Sequence, residues 1–197
     1  MKRRRVSDFA PVTGWEAALA LAALVLFSIA MSLLLGPDPV EGAEPVIRPV
    51  LQLYSVTAHS GDHEYEDQHP GLGLEIQVSP DAESPWNLGV GGHYMVRDSN
   101  GHPCWWAGVT PSYTIGNRAG FWLEPGVILG VGRKAGLYKG EIGPGFLPKL
   151  GLGYGAVGVD LFAVPSEAIA QVSGNQDAPA VWGGMVRVGV PFKAGGD

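Results

Sequence analysis

The stretch that decides the fold is Trp86-Asn87-Leu88-Gly89-Val90-Gly91-Gly92-His93-Tyr94-Met95-Val96-Arg97-Asp98-Ser99-Asn100-Gly101-His102-Pro103-Cys104-Trp105-Trp106-Ala107-Gly108-Val109-Thr110-Pro111-Ser112-Tyr113. Trp86, Leu88, Val90, Gly92 and Tyr94 alternate with Asn87, Gly89, Gly91, His93 and Met95. Trp105, Ala107, Val109, Pro111 and Tyr113 alternate with Trp106, Gly108, Thr110 and Ser112. A period of two puts each set on one side of a strand. Between the runs, Asp98-Ser99-Asn100-Gly101 is turn chemistry, so the stretch reads as a hairpin with an Asp-Ser pair at its tip.

The same period continues outward in both directions. Leu72, Leu74, Ile76 and Val78 oppose Gly71, Gly73, Glu75, Gln77 and Ser79. Phe121, Leu123, Pro125, Val127 and Leu129 oppose Trp122, Glu124, Gly126, Ile128 and Gly130. Trp182, Val186, Val188, Val190 and Phe192 oppose Gly183, Met185, Arg187 and Gly189. With runs at 50–59, 144–153 and 156–164 there are about eight, spaced as in an up-and-down barrel. One set of faces carries aromatics near strand ends, as interface girdles do. The other holds Glu75, His93, Arg97, Glu124, Asp160 and Arg187, which a sandwich core would not welcome. The expected fold is all-β, an eight-stranded antiparallel membrane β-barrel over residues 44–197; a soluble barrel or sandwich is the alternative.

Residues 1–43 read as targeting sequence. Lys2-Arg3-Arg4-Arg5 is a positive start, and Ala17 to Leu35 is apolar apart from two serines. This is a cleaved signal peptide or a retained inner-membrane anchor with a Pro-rich linker. In either case the remainder is exported. The net charge of −6 and the lack of a basic cluster beyond the N-terminus exclude a nucleic-acid groove. Cys104 is the sole cysteine, so an internal disulfide or a Cys-based zinc site is excluded.

With both barrel termini periplasmic, parity places His59, Asp98, Ser99 and Arg133 on one outer rim. The longer connections, near 60–70, 98–103, 133–142 and 165–180, fall on that rim, and the shorter ones on the other. Met95, Trp106, Ile128 and Met185 point into the upper bore; Glu75, Glu124, Asp160 and Arg187 point in lower down. Glycines at 71, 73, 89, 91, 108, 126 and 130 remove bore volume. An apolar upper bore over a charged floor suits one acyl chain. The competing reading is glycines that only ease curvature over a structural ion network. His59 as base, Ser99 as nucleophile or donor and Asp98 as orienter suffice for acyl transfer. The bland counterpart is a surface histidine and an Asp-Ser turn. The loop with His63, Glu64, Glu66, Asp67 and His69 reads as solvated, and no metal is expected.

In these residues the chain resembles the PagP family, the outer-membrane lipid A palmitoyltransferases. The likeness lies in Leu53-Tyr54 with Thr57-x-His59, Pro70-Gly71-Leu72-Gly73, Asp98-Ser99, Arg133, Pro144-x-x-x-Pro148 before Gly153-Tyr154-Gly155, and Trp182 with Arg187. The resemblance implies transfer of a palmitoyl-like chain from a phospholipid to lipid A or a similar acceptor, with no cofactor. It implies His59, Asp98 and Ser99 as the reacting group, and Arg133, Met95, Trp106, Ile128 and Met185 as substrate contacts. The expected partners are membrane lipids (phospholipid and lipopolysaccharide) and the barrel-assembly machinery, with no nucleic acid, for a monomer of the bacterial outer membrane. The family's N-terminal amphipathic helix has no counterpart between Glu44 and Leu51. Small phage- or prophage-type barrels share the Pro-Gly-Leu-Gly and Gly-Tyr-Gly patterns. The alternative is therefore a non-catalytic outer-membrane barrel that binds lipid or modifies the cell surface.

Overall fold

The computed structural model describes residues 44–60, 67–135 and 137–189. The N-terminal segment, His63, Glu64 and Glu66, and the closing residues with Phe192 lie outside these. In chain order the strands are β1 (Val46–His59), β2 (Gln68–His69), β3 (Gly71–Ser79), β4 (Trp86–Met95), β5 (Cys104–Tyr113), β6 (Ile115–Gly116), β7 (Phe121–Arg133), β8 (Ile142–Tyr154), β9 (Val157–Val164) and β10 (Val181–Gly189). Eight of them are long; β2 and β6 are two-residue pieces. Each long strand pairs antiparallel with its neighbours in sequence, and β10 closes on β1 through pairs from Val50↔Gly189 to His59↔Val181. The result is the closed up-and-down barrel that the alternation predicts.

The period-two faces explain why closure is stable. Glu75, Gln77 and Ser79 point in and are buried, whereas Leu72 (61 % exposed) and Leu74 point out. The outer wall also exposes Val157, Leu161 and Phe146, with Trp86, Tyr113, Phe121 and Tyr154 near one end and Tyr94 and Trp182 near the other. Trp86 and Tyr113 pack edge to face at 5.0 Å. The outer wall thus exposes apolar side chains along its length, with aromatics toward both ends.

β1 departs from simple alternation. It begins at Val46, not Val50, and its first residues pair with β3 from Val46↔Ser79 onward. Arg48 points in there and donates to Ser79 Oγ at 2.8 Å. A bulge between Gln52 and Ser55 sends both Leu53 and Tyr54 outward. Beyond it the inward set becomes Ser55, Thr57 and His59, which brings His59 to the mouth of the barrel.

The connection 165–180 contains a helix, α1 (Ser166–Ser173), which the sequence reading leaves as loop. Pro165 precedes it and Gly174 ends it in the left-handed region at φ 72°. Only glycine adopts that conformation without strain. The connection after β7 folds into a 3-10 turn, Tyr138–Gly140, held by Arg133 Nε donating to Gly140 O at 2.9 Å.

The wall has one asymmetry. β8 pairs with β7 along its whole length, from Arg133↔Ile142 to Phe121↔Tyr154. Its pairing with β9 starts only at Lys149↔Phe162. Residues 142–148 thus have no paired strand on the β9 side among the described residues. This stretch contains Pro144 and Pro148, which have no N–H to offer.

Candidate functional site

The bore divides into two halves. At the short-turn end, charged side chains close it. Arg187 Nη1 donates to Glu124 Oε1 at 2.8 Å and to Asp160 Oδ1 at 3.0 Å. Lys149 Nζ lies 3.5 Å from Glu124 and 3.4 Å from Asp160. Arg118 reaches in from the turn after β6 to pair with Glu124 and to donate to Gln77 Oε1 at 3.2 Å. Gln77 in turn donates to Glu75 at 2.8 Å and Glu124 at 3.2 Å. Three carboxylates (Glu75, Glu124, Asp160) therefore share the floor with three cations (Arg118, Lys149, Arg187), nearly all buried. Burial lowers the Arg118 pKa, and Glu124 beside it opposes the shift; a guanidinium remains charged regardless. Trp122 completes the floor, with the Arg187 guanidinium 5.0 Å from its ring.

The glycines serve this packing more than they thin the bore. The Glu75 side chain lies over Gly89, where a methyl would fall 2.5 Å from its Cδ; at Gly91 a methyl would instead fall 2.6 Å from the Glu75 backbone Cα. The Trp122 ring lies over Gly153 and Gly158, with 2.5 Å from a methyl at Gly158 to its Cη2. In the other half, His93 lies across Gly71 and Gly73, where methyls would meet Nε2 at 2.5 Å and Nδ1 at 2.6 Å. Large inward side chains thus lean over glycines of a neighbouring strand. Gly108 and Gly130 face each other across β5 and β7, and a methyl on either would strike the opposing backbone. The expectation of a glycine-thinned bore is therefore corrected at these positions: neighbouring side chains take the space, or the strands approach too closely for a Cβ.

Above the floor a cavity of about 410 Å³ opens toward the long-loop end. Met95, Trp106, Ile128 and Met185 all line it. The Trp106 ring is stacked parallel to His93, with centroids 6.5 Å apart. Lys149 and Asp160 line it where it meets the ionic floor. Helix α1 contributes Ile169 and Ser173, so this unforeseen element forms part of the mouth.

His59, Asp98, Ser99 and Arg133 also line this one cavity, although they come from three separate parts of the chain. Each is placed by a local cause. His59 ends β1 after the bulge. Asp98 and Ser99 are buried in the tip of the β4–β5 hairpin. Asp98 holds that tip: its Oδ1 accepts from the backbone N–H of Asn100 at 2.9 Å and of His102 at 3.0 Å, and its own N–H donates to His102 O at 2.7 Å. This is the side-chain turn that Asp favours. Arg97 does not join the group; it is exposed beyond the end of β4, because the strand's alternation stops at Met95.

Two residues that the sequence reading did not place in this group belong to it. Lys134 Nζ donates to Ser99 Oγ at 3.2 Å and lies 4.0 Å from Asp98 Oδ2. It also acts electrostatically on His59. His69 is no solvated loop residue. It is buried and its Nε2 lies 2.6 Å from Thr57 Oγ1, beside β1 through the pair Ser55↔His69. Lys149, in the floor, was also missed.

The arrangement joins an imidazole, a hydroxyl, a carboxylate and two cations to a largely apolar chamber. An imidazole beside a hydroxyl and a carboxylate is the kind of group set that general acid–base chemistry uses. In comparisons with known proteins, no family model matches the chain and no curated protein matches it.

Proposed function

We propose that the protein is an outer-membrane acyltransferase that moves a fatty acyl chain from a phospholipid to lipid A or a similar acceptor. The observation that carries this reading is the shared cavity: His59, Asp98 and Ser99 line the mouth of the same chamber whose interior is formed by Met95, Trp106, Ile128 and Met185. The apolar outer band supports a lipid bilayer as the surrounding medium. The unpaired stretch 142–148 supports entry of a chain from the side, where a bilayer would present it. The resemblance to the lipid A palmitoyltransferases points the same way. In this reading His59 takes the acceptor's hydroxyl proton, Ser99 meets the ester, and Asp98 fixes the tip that carries Ser99.

Expression in a lipid A-producing bacterium tests it. The expected product is lipid A heavier by one acyl chain, absent with His59→Ala and with Ser99→Ala. No such product with the unaltered barrel, or an equal yield from the two variants, would sink the proposal.

One observation favours a second reading, a lipid-binding barrel without chemistry. The Asp98 carboxylate is engaged through Oδ1 with its own turn, as in any Asp-capped hairpin. That reading predicts acyl-chain binding and a surface phenotype unaffected by substitution of His59 or Ser99.

A further inference from the structure

We infer that Ser99 is the oxyanion donor of the transfer, that Lys134 positions and polarises it, and that the acyl chain passes directly from donor ester to acceptor without an acyl-Ser99 stage. The inference rests on the acyl-transfer reading above.

Lys134 Nζ donates a hydrogen bond to Ser99 Oγ at 3.2 Å. An ammonium has three protons and no lone pair, so it can only donate. It therefore occupies a lone pair of Oγ and cannot take the hydroxyl's proton. A serine nucleophile needs the opposite neighbour, a base that accepts that proton. The second neighbour does not supply one. Asp98 Oδ1 is taken by the N–H groups of Asn100 and His102, and Asp98 Oδ2, buried, lies 4.0 Å from the same Lys134 nitrogen. That carboxylate holds the ammonium over Ser99. Withdrawing electron density from Oγ weakens it as a nucleophile and strengthens its O–H as a donor. The O–H is the only side-chain donor Ser99 has, and it belongs to a residue lining the cavity mouth, where an ester carbonyl would lie.

The step balances as follows. The His59 imidazole takes the proton of the acceptor hydroxyl while that oxygen bonds to the ester carbonyl carbon. The carbonyl π electrons move onto its oxygen, which Ser99 O–H holds. The C=O then re-forms, the bond to the glycerol oxygen breaks, and the imidazolium returns its proton to that leaving oxygen. The products are the acylated acceptor and a lysophospholipid, and Ser99 keeps its proton throughout.

The test uses the full barrel in detergent micelles containing a palmitoyl glycerophospholipid and lipid A, with heat-modifiable gel mobility reporting the fold. Lys134→Met is expected to lower kcat roughly a hundredfold with KM little changed, as loss of transition-state polarisation does. Lys134→Arg, which keeps a cationic donor, is expected to recover most of the rate. Acid-quenched wild-type protein is expected to show no added acyl mass during turnover. An acyl adduct that disappears in Ser99→Ala overturns the inference and leaves acyl transfer standing. So does a Lys134→Met barrel whose kcat stays within about threefold of wild type. If Lys134→Met does not migrate as a folded barrel, the adduct measurement on wild type decides alone. A folded wild-type barrel that forms no acylated lipid A overturns the transfer reading itself, and this inference with it.

Discussion

The two halves of the bore are built from the same eight strands and obey opposite rules. At the floor, Glu124 touches Arg118, Lys149, Arg187 and Gln77 within one polar network. In the chamber above, largely apolar side chains enclose a cavity of about 410 Å³, and among the described residues neither ring nitrogen of the buried His93 has a hydrogen-bond partner. Removing one partner from a buried ionic network is costly, because the others stay buried and under-compensated. Side chains around a cavity forgo contacts that a bound group would make. The two halves divide the labour: closure and register are secured below, and space is shaped above.

Substitutions can break that division. The largest effect on stability is expected from Glu124→Ala, which removes the carboxylate that Arg118, Lys149 and Arg187 share; it should cost about 3–5 kcal/mol in denaturant unfolding of the refolded barrel. An equal loss from Met185→Ala would mean that the halves do not differ in this way. Next, Gly91→Ala should cost about 1–3 kcal/mol, because its methyl meets the Glu75 backbone at 2.6 Å and the Leu74 carbonyl oxygen. Met185→Trp should fill the chamber and weaken binding of a fluorescent fatty acid roughly tenfold or more, with an unfolding midpoint close to wild type. The smallest effect is expected from Gly174→Ala, about 1 kcal/mol at the end of α1. It should appear as faster amide exchange in 166–174 while the barrel's exchange stays unchanged.

How much of this was legible depends on whether period two applied. Eight strands, their inward faces and the shared rim follow from alternation alone, because a strand has only two sides. Lys149 was legible by the same rule, two residues from Leu147 and from Gly151, yet a lysine beside Pro148 reads as surface unless parity is followed strictly. The start of β1 was hidden because Val46-Ile47-Arg48-Pro49 does not alternate in polarity; its pairing with β3 is what makes it a strand. Helix α1 had a signal in Pro165 before it and Gly174 after it, but its eight residues are too few for a periodic pattern to emerge. Lys134 and His69 had no local signal. Their partners, Ser99 and Thr57, are fixed by tertiary closure, which no window of sequence records. The glycines were legible as bore-facing, but not as seats for side chains on the adjacent strand, because that lean depends on strand stagger.

The gap beside β8 bears on whether two copies of the chain can join edge to edge. A strand edge left open in a low-dielectric medium is a template, and another copy could extend the sheet across it. Pro144 and Pro148 remove donors from that edge, and Pro165 follows directly on the last residue of β9, Val164. A strand laid along residues 142–148 would find missing hydrogen bonds at both prolines. Pro144 and Pro148 therefore make this edge a poorer template for a second chain than its length alone would suggest.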